Sequence, residues 1–387
     1  MRARNVLFKA LVACLTLVGG RAFSAASGQL LRPPNPGAPL AERFESGIRE
    51  GAGAGGSGFW IGYSIKRLMG ERSFIGSWGS TGQAEGRTLE EIIEGRAVTA
   101  GTAASREIAV KDAARRALDD IDKRDVPERL ILKDIGLLLK MTSAGGKAPE
   151  DVQINDLKLS VKLAGLPLVW LGPASDAESL GLLTSLYGRA GEAGAKIREK
   201  LIHAVALHRA PDTVVPFLGR VLSGSGDEKV RRAAAFGLGD QDDPRAVEAL
   251  RRALTSAAPA EVKKAAVWGL AENSHPSALD VLIGAAAATS ETAVRKEAVM
   301  GLAEKASEKA VRTLERIAFD DKDTEVQKRA VFALADLPEK DATPFLVRVA
   351  KTHYNPAVRK AAIYALGDLG GAEAVAALIE IAKGRTR

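Results

Sequence analysis

The chain has 387 residues, 46% apolar and 27% charged, enough to bury a large core and too apolar for a disordered chain. Its formal charge of +7 is concentrated at one end: Arg2, Arg4, Lys9 and Arg21 precede any acid, and beyond residue 26 only 51 bases face 48 acids, a net +3 that does not argue for nucleic acid. Cys14, the only cysteine, lies in the same segment, so a chain cleaved behind it has no disulfide, thiolate nucleophile or cysteine-ligated zinc.

Residues 1–26 have the three parts of a secretory signal: a basic start, an apolar run from Ala10 to Val18, and small residues at the end. Cleavage sites fit after Ser24 or after Ala26, and the expectation is export, to a periplasmic or extracellular location. Leu11-Val12-Ala13-Cys14 also fits a lipoprotein box, which would place a lipid anchor on Cys14. The apolar run continues past that cysteine, which favours ordinary cleavage. Beyond residue 26 no stretch approaches the roughly 20 apolar residues of a transmembrane span.

Residues 27–58 contain 8 glycines and 4 prolines and read as a flexible Gly/Pro-rich linker. Gly51-Ala52-Gly53-Ala54-Gly55-Gly56 satisfies G-x-G-x-x-G, but a dinucleotide site needs a strand before it and a helix after it. Here Glu42 to Glu50 reads as polar coil and Phe59 to Ile65 as a strand, so the match belongs to the linker.

Residues 59–171 read as a small α+β domain. Phe59, Ile61, Tyr63 and Ile65 alternate as in a half-buried strand, with Ser73 to Trp78 as a pairing candidate. Thr88-Leu89-Glu90-Glu91 has the form of a capping box opening a short helix. Ala104 to Ile121 forms a second helical pattern, and Leu157, Leu159, Val161 and Leu163 alternate with polar residues as in a strand.

From there a repeat dominates. Val230-Arg-Arg-Ala-Ala-Ala-Phe-Gly-Leu-Gly-Asp240 recurs from Val262, Val294, Val326 and Val358, each start 32 residues after the last, with a looser copy from Ile197. A second helical pattern of the same period is marked by Leu218, Leu250, Leu282, Leu314, Leu346 and Leu378. Each unit is two antiparallel helices whose apolar stripes are covered only when neighbours stack, which makes a solenoid. Ala234, Ala266, Ala298, Ala330 and Ala362 keep a small residue where backbones come close, and Pro244, Pro276 and Pro344 fit at or near helix starts.

At these residues the chain resembles the HEAT-repeat superfamily, in the short HEAT-like form of phycobilin lyases, over about residues 177–387, within a solenoid domain read as residues 172–387. The fold expected is mainly α, a HEAT-like α-solenoid of about six helix pairs and a closing helix at Ala372 to Lys383, preceded by the small α+β domain. More loosely, Val169-Trp170-Leu171-Gly172, Glu178-Ser179-Leu180 and Ala204-Val205-Ala206-Leu207-His208 resemble exported bacterial HEAT proteins with a β-containing N-terminal segment. The resemblance implies a scaffold for other macromolecules rather than a particular activity.

Enzymatic readings find little support in the residues. None of the four histidines, His203, His208, His275 and His353, is followed by Glu, a departure at every position from the His-Glu pairs of deoxyhypusine hydroxylase, an all-HEAT di-iron enzyme. His203 and His208 are five apart, about 140° round a helix, where a metal pair needs i, i+4. There is no G-x-S-x-G, P-loop or H-E-x-x-H, and no cofactor is implied. HEAT-like alkylpurine DNA glycosylases grip DNA, but export and the small charge argue against nucleic acid here.

On a helical wheel the Val of each copy and the residues four, seven and eight on form the core arc. Opposite it, six on, stand Phe236, Trp268, Met300, Phe332 and Tyr364, each preceded four residues earlier by Arg232, Lys264, Lys296, Lys328 and Lys360. These pairs form either a groove stripe suited to an extended peptide or an acidic protein surface, or inter-repeat core edged by bases. The acids Asp240, Glu272, Glu304, Asp336 and Asp368 read as a ladder between neighbouring turns rather than a cation site. The function expected is a non-catalytic exported scaffold binding a protein or peptide. The alternative is an enzyme or cofactor carrier with a site in residues 59–171.

Overall fold

A computed structural model describes residues 29–70, 88–95, 129–143, 148–159, 161–191, 194–288, 291–305 and 307–384. The signal segment expected at residues 1–26, the strand expected at Ser73 to Trp78 and the helix expected at Ala104 to Ile121 lie outside the described residues. The chain divides into two compact units, Phe23–His208 and Arg209–Arg387.

The first unit is built on a five-stranded sheet in the order β1-β5-β2-β3-β4. Its strands are β1 (Leu30–Leu31), β2 (Gly58–Gly70), β3 (Leu130–Thr142), β4 (Asp151–Asp156) and β5 (Leu168–Pro173). β2 and β3 form a long antiparallel pair, Gly58 opposite Thr142 and Gly70 opposite Leu130, while β5 runs parallel to both β1 and β2. Residues 58–65 of β2 are buried on both faces rather than one, because each face of the sheet is covered.

The residues expected to be a linker supply part of that cover. Leu40–Gly53 is a helix, α1, with Leu40, Phe44, Gly47 and Gly51 buried, so the reading of Glu42 to Glu50 as coil is corrected. The glycines are what allow it to pack: a Cβ at Gly47 would lie 3.1 Å from Leu171 Cδ2, and one at Gly51 would lie 2.1 Å from the Phe59 ring. Gly55 and Gly56, at φ of 80° and 93°, then turn the chain into β2. The glycine run therefore ends a helix and starts a strand, the reverse of the phosphate-binding order.

On the other face Trp60, Leu138, Leu168 and Trp170 form a cluster with Leu89, Ile92, Val161 and Leu163. Leu89 and Ile92 come from α2 (Leu89–Ile93), opened by the expected capping box: Thr88 Oγ1 accepts from the Glu91 N–H, and Glu91 accepts from the Thr88 N–H. The strand expected around Leu157 to Leu163 is not formed. Residues 157–159 are a turn and 161–163 irregular, yet Val161 and Leu163 are buried, and the Leu163 carbonyl accepts from Trp60 Nε1 at 3.1 Å. The alternation there records burial against the tryptophans, not a ladder.

Two helices complete this unit, α3 (Asp176–Arg189) and α4 (Ala195–Ala206). They are the first of the six helix pairs, and by contact they group with the sheet.

The second unit continues with α5 (Pro211–Ser223), α6 (Glu228–Gly239), α7 (Pro244–Thr255), α8 (Ala260–Glu272), α9 (Ser277–Ala288) and α10 (Thr292–Lys305). It ends with α11 (Glu308–Asp320), α12 (Thr324–Ala335), α13 (Glu339–Thr352), α14 (Pro356–Leu369) and the closing α15 (Ala372–Gly384). The repeating Val, the Ala four on and the Leu eight on are all buried in α6, α8, α10, α12 and α14, at 0–2% exposure. Burying one such Val or Leu is worth about 1.5–3 kcal/mol, and each is covered by a neighbouring repeat. Asp227, Asp323 and Asn355 cap α6, α12 and α14 through their side chains. Pro244 opens α7 as expected, but Pro344 lies one turn inside α13.

The second helices pack on one another in the order α6, α8, α10, α12, α14. Between α6 and α8 glycines bring the backbones together: a Cβ at Gly239 would lie 2.8 Å from Gly269 Cα, and one at Gly269 would lie 2.5 Å from the Ala235 carbonyl oxygen. The alanine row is buried as expected, but it is the glycine pair that brings backbone against backbone.

Candidate functional site

In the first unit, the groups that most resemble catalytic ones form a closed network. His208 Nδ1 lies 2.9 Å from the Ala204 carbonyl, which can only accept, so Nδ1 carries the proton and Nε2 accepts from the Ser179 hydroxyl at 2.9 Å. Tyr63 then donates to Ser179 Oγ at 3.0 Å. All three side chains are fully buried. Burial, with the nearby Arg67 cation adding to it, lowers His208 to about 4 against the smaller opposing effects of Asp176 and two carbonyls. Burial likewise pushes Tyr63 well above the ordinary tyrosine range. A serine and histidine with no exposed surface make a packed polar pin between β2 and α3, not a nucleophile.

Arg67 of β2 is buried as well, and donates to the Leu207 carbonyl at 2.6 Å and to Asp176 at 2.8 Å. A cleft of about 660 Å³ between α1 and α3 is lined by Arg43, Glu45, Arg49, Ser185 and Arg189, with Arg189 bonded to Glu45 at 3.3 Å. It lies outside the 59–171 segment in which the alternative reading placed an active site. Among the described residues no group of His, Cys, Asp and Glu could hold a metal, and no helix is long and apolar enough to cross a membrane.

In the second unit the structure places the stripe residues on one side of five consecutive second helices. Phe236, Phe332 and Tyr364 are exposed at 39%, 41% and 58%, while Trp268 and Met300, in the middle of the row, are half-buried. Of the bases, Lys360 is exposed and Arg232, Lys264, Lys296 and Lys328 are half-buried. The row is therefore surface at its two ends and partly packed at its centre.

Local acids hold some of the bases in place. Lys264 donates to Glu261 at 2.8 Å and Lys328 to Glu325 at 2.7 Å, whereas the Lys360 ammonium sits 5.5 Å over the Tyr364 ring. The bond to Glu261 raises the Lys264 pKa, and neighbouring Arg232 pulls it back. Four residues beyond each aromatic or Met position, the acids Asp240, Glu272, Glu304, Asp336 and Asp368 are all exposed. Protein packed around the Asp240 carboxylate raises its pKa, Glu272 adds to the shift, and Arg209 opposes it.

The ladder expected of these acids is carried by the next position along. Asn273, fully buried, donates from Nδ2 to the Gln241 carbonyl at 2.7 Å and to those of Leu238 and Gly239 at 3.3 Å. Lys305 in turn donates to the Asn273 carbonyl. A second structural row went unread, directly after each Val. Arg231 donates to the Leu222 carbonyl, Gln327 to that of Phe319, and Arg359 to those of His353 and Tyr354. Lys263 meets Glu291 at 2.5 Å, and the buried Arg295 meets Asp321 at 3.1 Å. The wheel contained the signal: this position falls at about 100°, beside the buried Leu at about 80°.

Eleven helices among the described residues of the second unit, with a 32-residue period and one polar-aromatic face, define a helical-repeat solenoid whose features recur by position. The family model for HEAT repeats matches residues 186–260, 253–326 and 311–386, more than half of the chain, and the chain belongs to the HEAT-repeat family. No curated protein matches it. Among solved structures, human deoxyhypusine hydroxylase in complex with glycerol is 19% identical over 52% of this chain and 77% of its own, with a TM-score of 0.23. The CpcE–CpcF complex of phycocyanin lyase from Nostoc sp. PCC7120 is 22% identical over 41% and 98%, at 0.31. Kap95p, solved with RanGDP, is 14% identical over 53% and 32%, at 0.33. These likenesses carry nothing about activity.

Proposed function

We propose that the chain is a non-catalytic, exported scaffold that binds a segment of another protein through the groove stripe on α6, α8, α10, α12 and α14. The observation that carries this reading is the fivefold recurrence of a base and an aromatic or Met side chain at i, i+4, set on the side of each helix away from its buried Val, Ala and Leu. Exposed aromatics spaced along a stacked array are the residue type that anchors protein partners, and a stable fold does not require them at the surface. Export rests on the signal-like residues 1–26.

The test compares the full chain with a Phe332→Ala, Tyr364→Ala double variant, both cross-linked in the exported fraction at native expression. Both side chains are exposed, so the variant is expected to melt within a few degrees of the wild type. Proteins joined to the wild type and lost from the variant support the reading. An identical set on both overturns it.

A further inference from the structure

The exposed face of the second helices has three rows. In each of the five copies a base, an aromatic or Met, and an acid stand at i, i+4 and i+8 of one helix, as in Lys264, Trp268 and Glu272. Four residues of helix rise about 6 Å, so the basic and acidic rows run on either side of the aromatic row, about 12 Å apart.

Local contacts account for only part of the charged rows: Lys264 and Lys328 are held by Glu261 and Glu325, and Arg209 acts on Asp240. The acids sit in the last turn or at the C-cap of their helices, where the helix dipole disfavours negative charge. Like charges also neighbour one another between repeats: Arg232 acts on Lys264, and Glu272 on Asp240. Two rows of opposite sign, exposed or half-buried and flanking the aromatic row, match a partner bearing the complementary order.

We infer that the occupant is an amphipathic α-helix lying across the second helices, its apolar seam on the aromatic row, an acidic flank over the basic row and a basic flank over the acidic row. This rests on the proposed reading of the stripe as a binding face and gives the partner's chemistry. The width fits: a helix with its side chains is about 10–12 Å across, the span of the three rows, whereas an extended strand presents a single row on each face. The repeat fits as well. Packed helices lie about 8–10 Å apart, which is about five to seven residues of a helix crossing them, a range whose upper end matches a heptad.

The test uses the full chain and three labelled synthetic helices of four heptads with an identical apolar seam, read by fluorescence anisotropy. One carries Glu on one flank and Lys on the other, one Glu on both, and one Lys on both. The split helix is expected to bind about tenfold more tightly than either uniform helix, since several individually weak exposed pairs act together. In a Glu272→Lys, Asp336→Lys variant, which places bases where the helix dipole favours them, the preference passes to the all-Glu helix. Equal binding of the three helices, an unchanged preference in that variant, or no binding overturns the inference. So does a dimer of the chain in sedimentation that the split helix fails to displace, because a second copy would then own the face. If Trp268→Ala with Phe332→Ala weakens all three helices equally, the stripe binds and only the charge order is wrong. If that pair changes nothing, the binding face itself is wrong.

Discussion

Acidification should loosen the sheet unit through one residue. His208 is fully buried, its Nε2 fills the acceptor role for Ser179, and it titrates at about 4 in the fold against 6.5 when exposed. Between those values the unfolded chain holds a proton that the folded chain excludes. The stabilisation is therefore fully present above pH 6.5 and is lost as the pH falls toward 4. The whole gap is worth about 3 kcal/mol, and about 2 kcal/mol of it is gone by pH 5. Urea unfolding in a Trp78→Phe, Trp268→Phe background leaves Trp60 and Trp170, both in the sheet unit, as the reporters. Wild type should lose about 2 kcal/mol more than His208→Gln between pH 7 and pH 5. Equal losses in the two proteins would mean that the ring takes up its proton in place, and the assignment of Nε2 as an acceptor would fall.

Asn273→Ala should cost about 2–3 kcal/mol in thermal or urea unfolding, because the carbonyls of Leu238, Gly239 and Gln241 lose the Nδ2 donor at a buried site; an effect below 0.5 kcal/mol would show the ladder to be ornamental. Gly239→Ala should cost about 1–3 kcal/mol by forcing α6 from α8, while Gly284→Ala, where a Cβ meets nothing within 4 Å, should not destabilise. Mass spectrometry of the exported protein should find a mature chain starting near Ala25 or Ser27 and free of cysteine; an intact Met1 or a lipid on Cys14 would refute cleavage there.

The solenoid was legible because a 32-residue period repeats the same burial: Val262, Ala266 and Leu270 mark the core on α8 as Val326, Ala330 and Leu334 do on α12. The helix α1 was not, since the glycines that let it sit on Leu171 and Phe59 are the residues that also make a segment look like a tether. Around Leu157 to Leu163 the period of two was real, but it came from contact with Trp60 and not from a strand. For α3 and α4 the repeat pattern is present while the packing partner is the sheet, which periodicity cannot show. On the exposed face the wheel located the stripe, and it hid the role of the neighbouring bases. Arg231 and Arg232 are adjacent in the chain and both half-buried, yet the first caps the Leu222 carbonyl and the second belongs to the stripe, about 100° of rotation away.

The glycine contact between α6 and α8 makes the junctions of the array unequal. There backbone meets backbone, at the next junction Gly301 meets the side chains of Ala271 and Val267, and in α12 and α14 the same position is filled by Ala333 and Ala365. In a one-dimensional stack, opening begins where a neighbour's hold is weakest. The amides of α6 and α8 should be the last in this unit to exchange with deuterium. Those of α15, where Val375 and Ile379 are 46% and 50% exposed, should be the first.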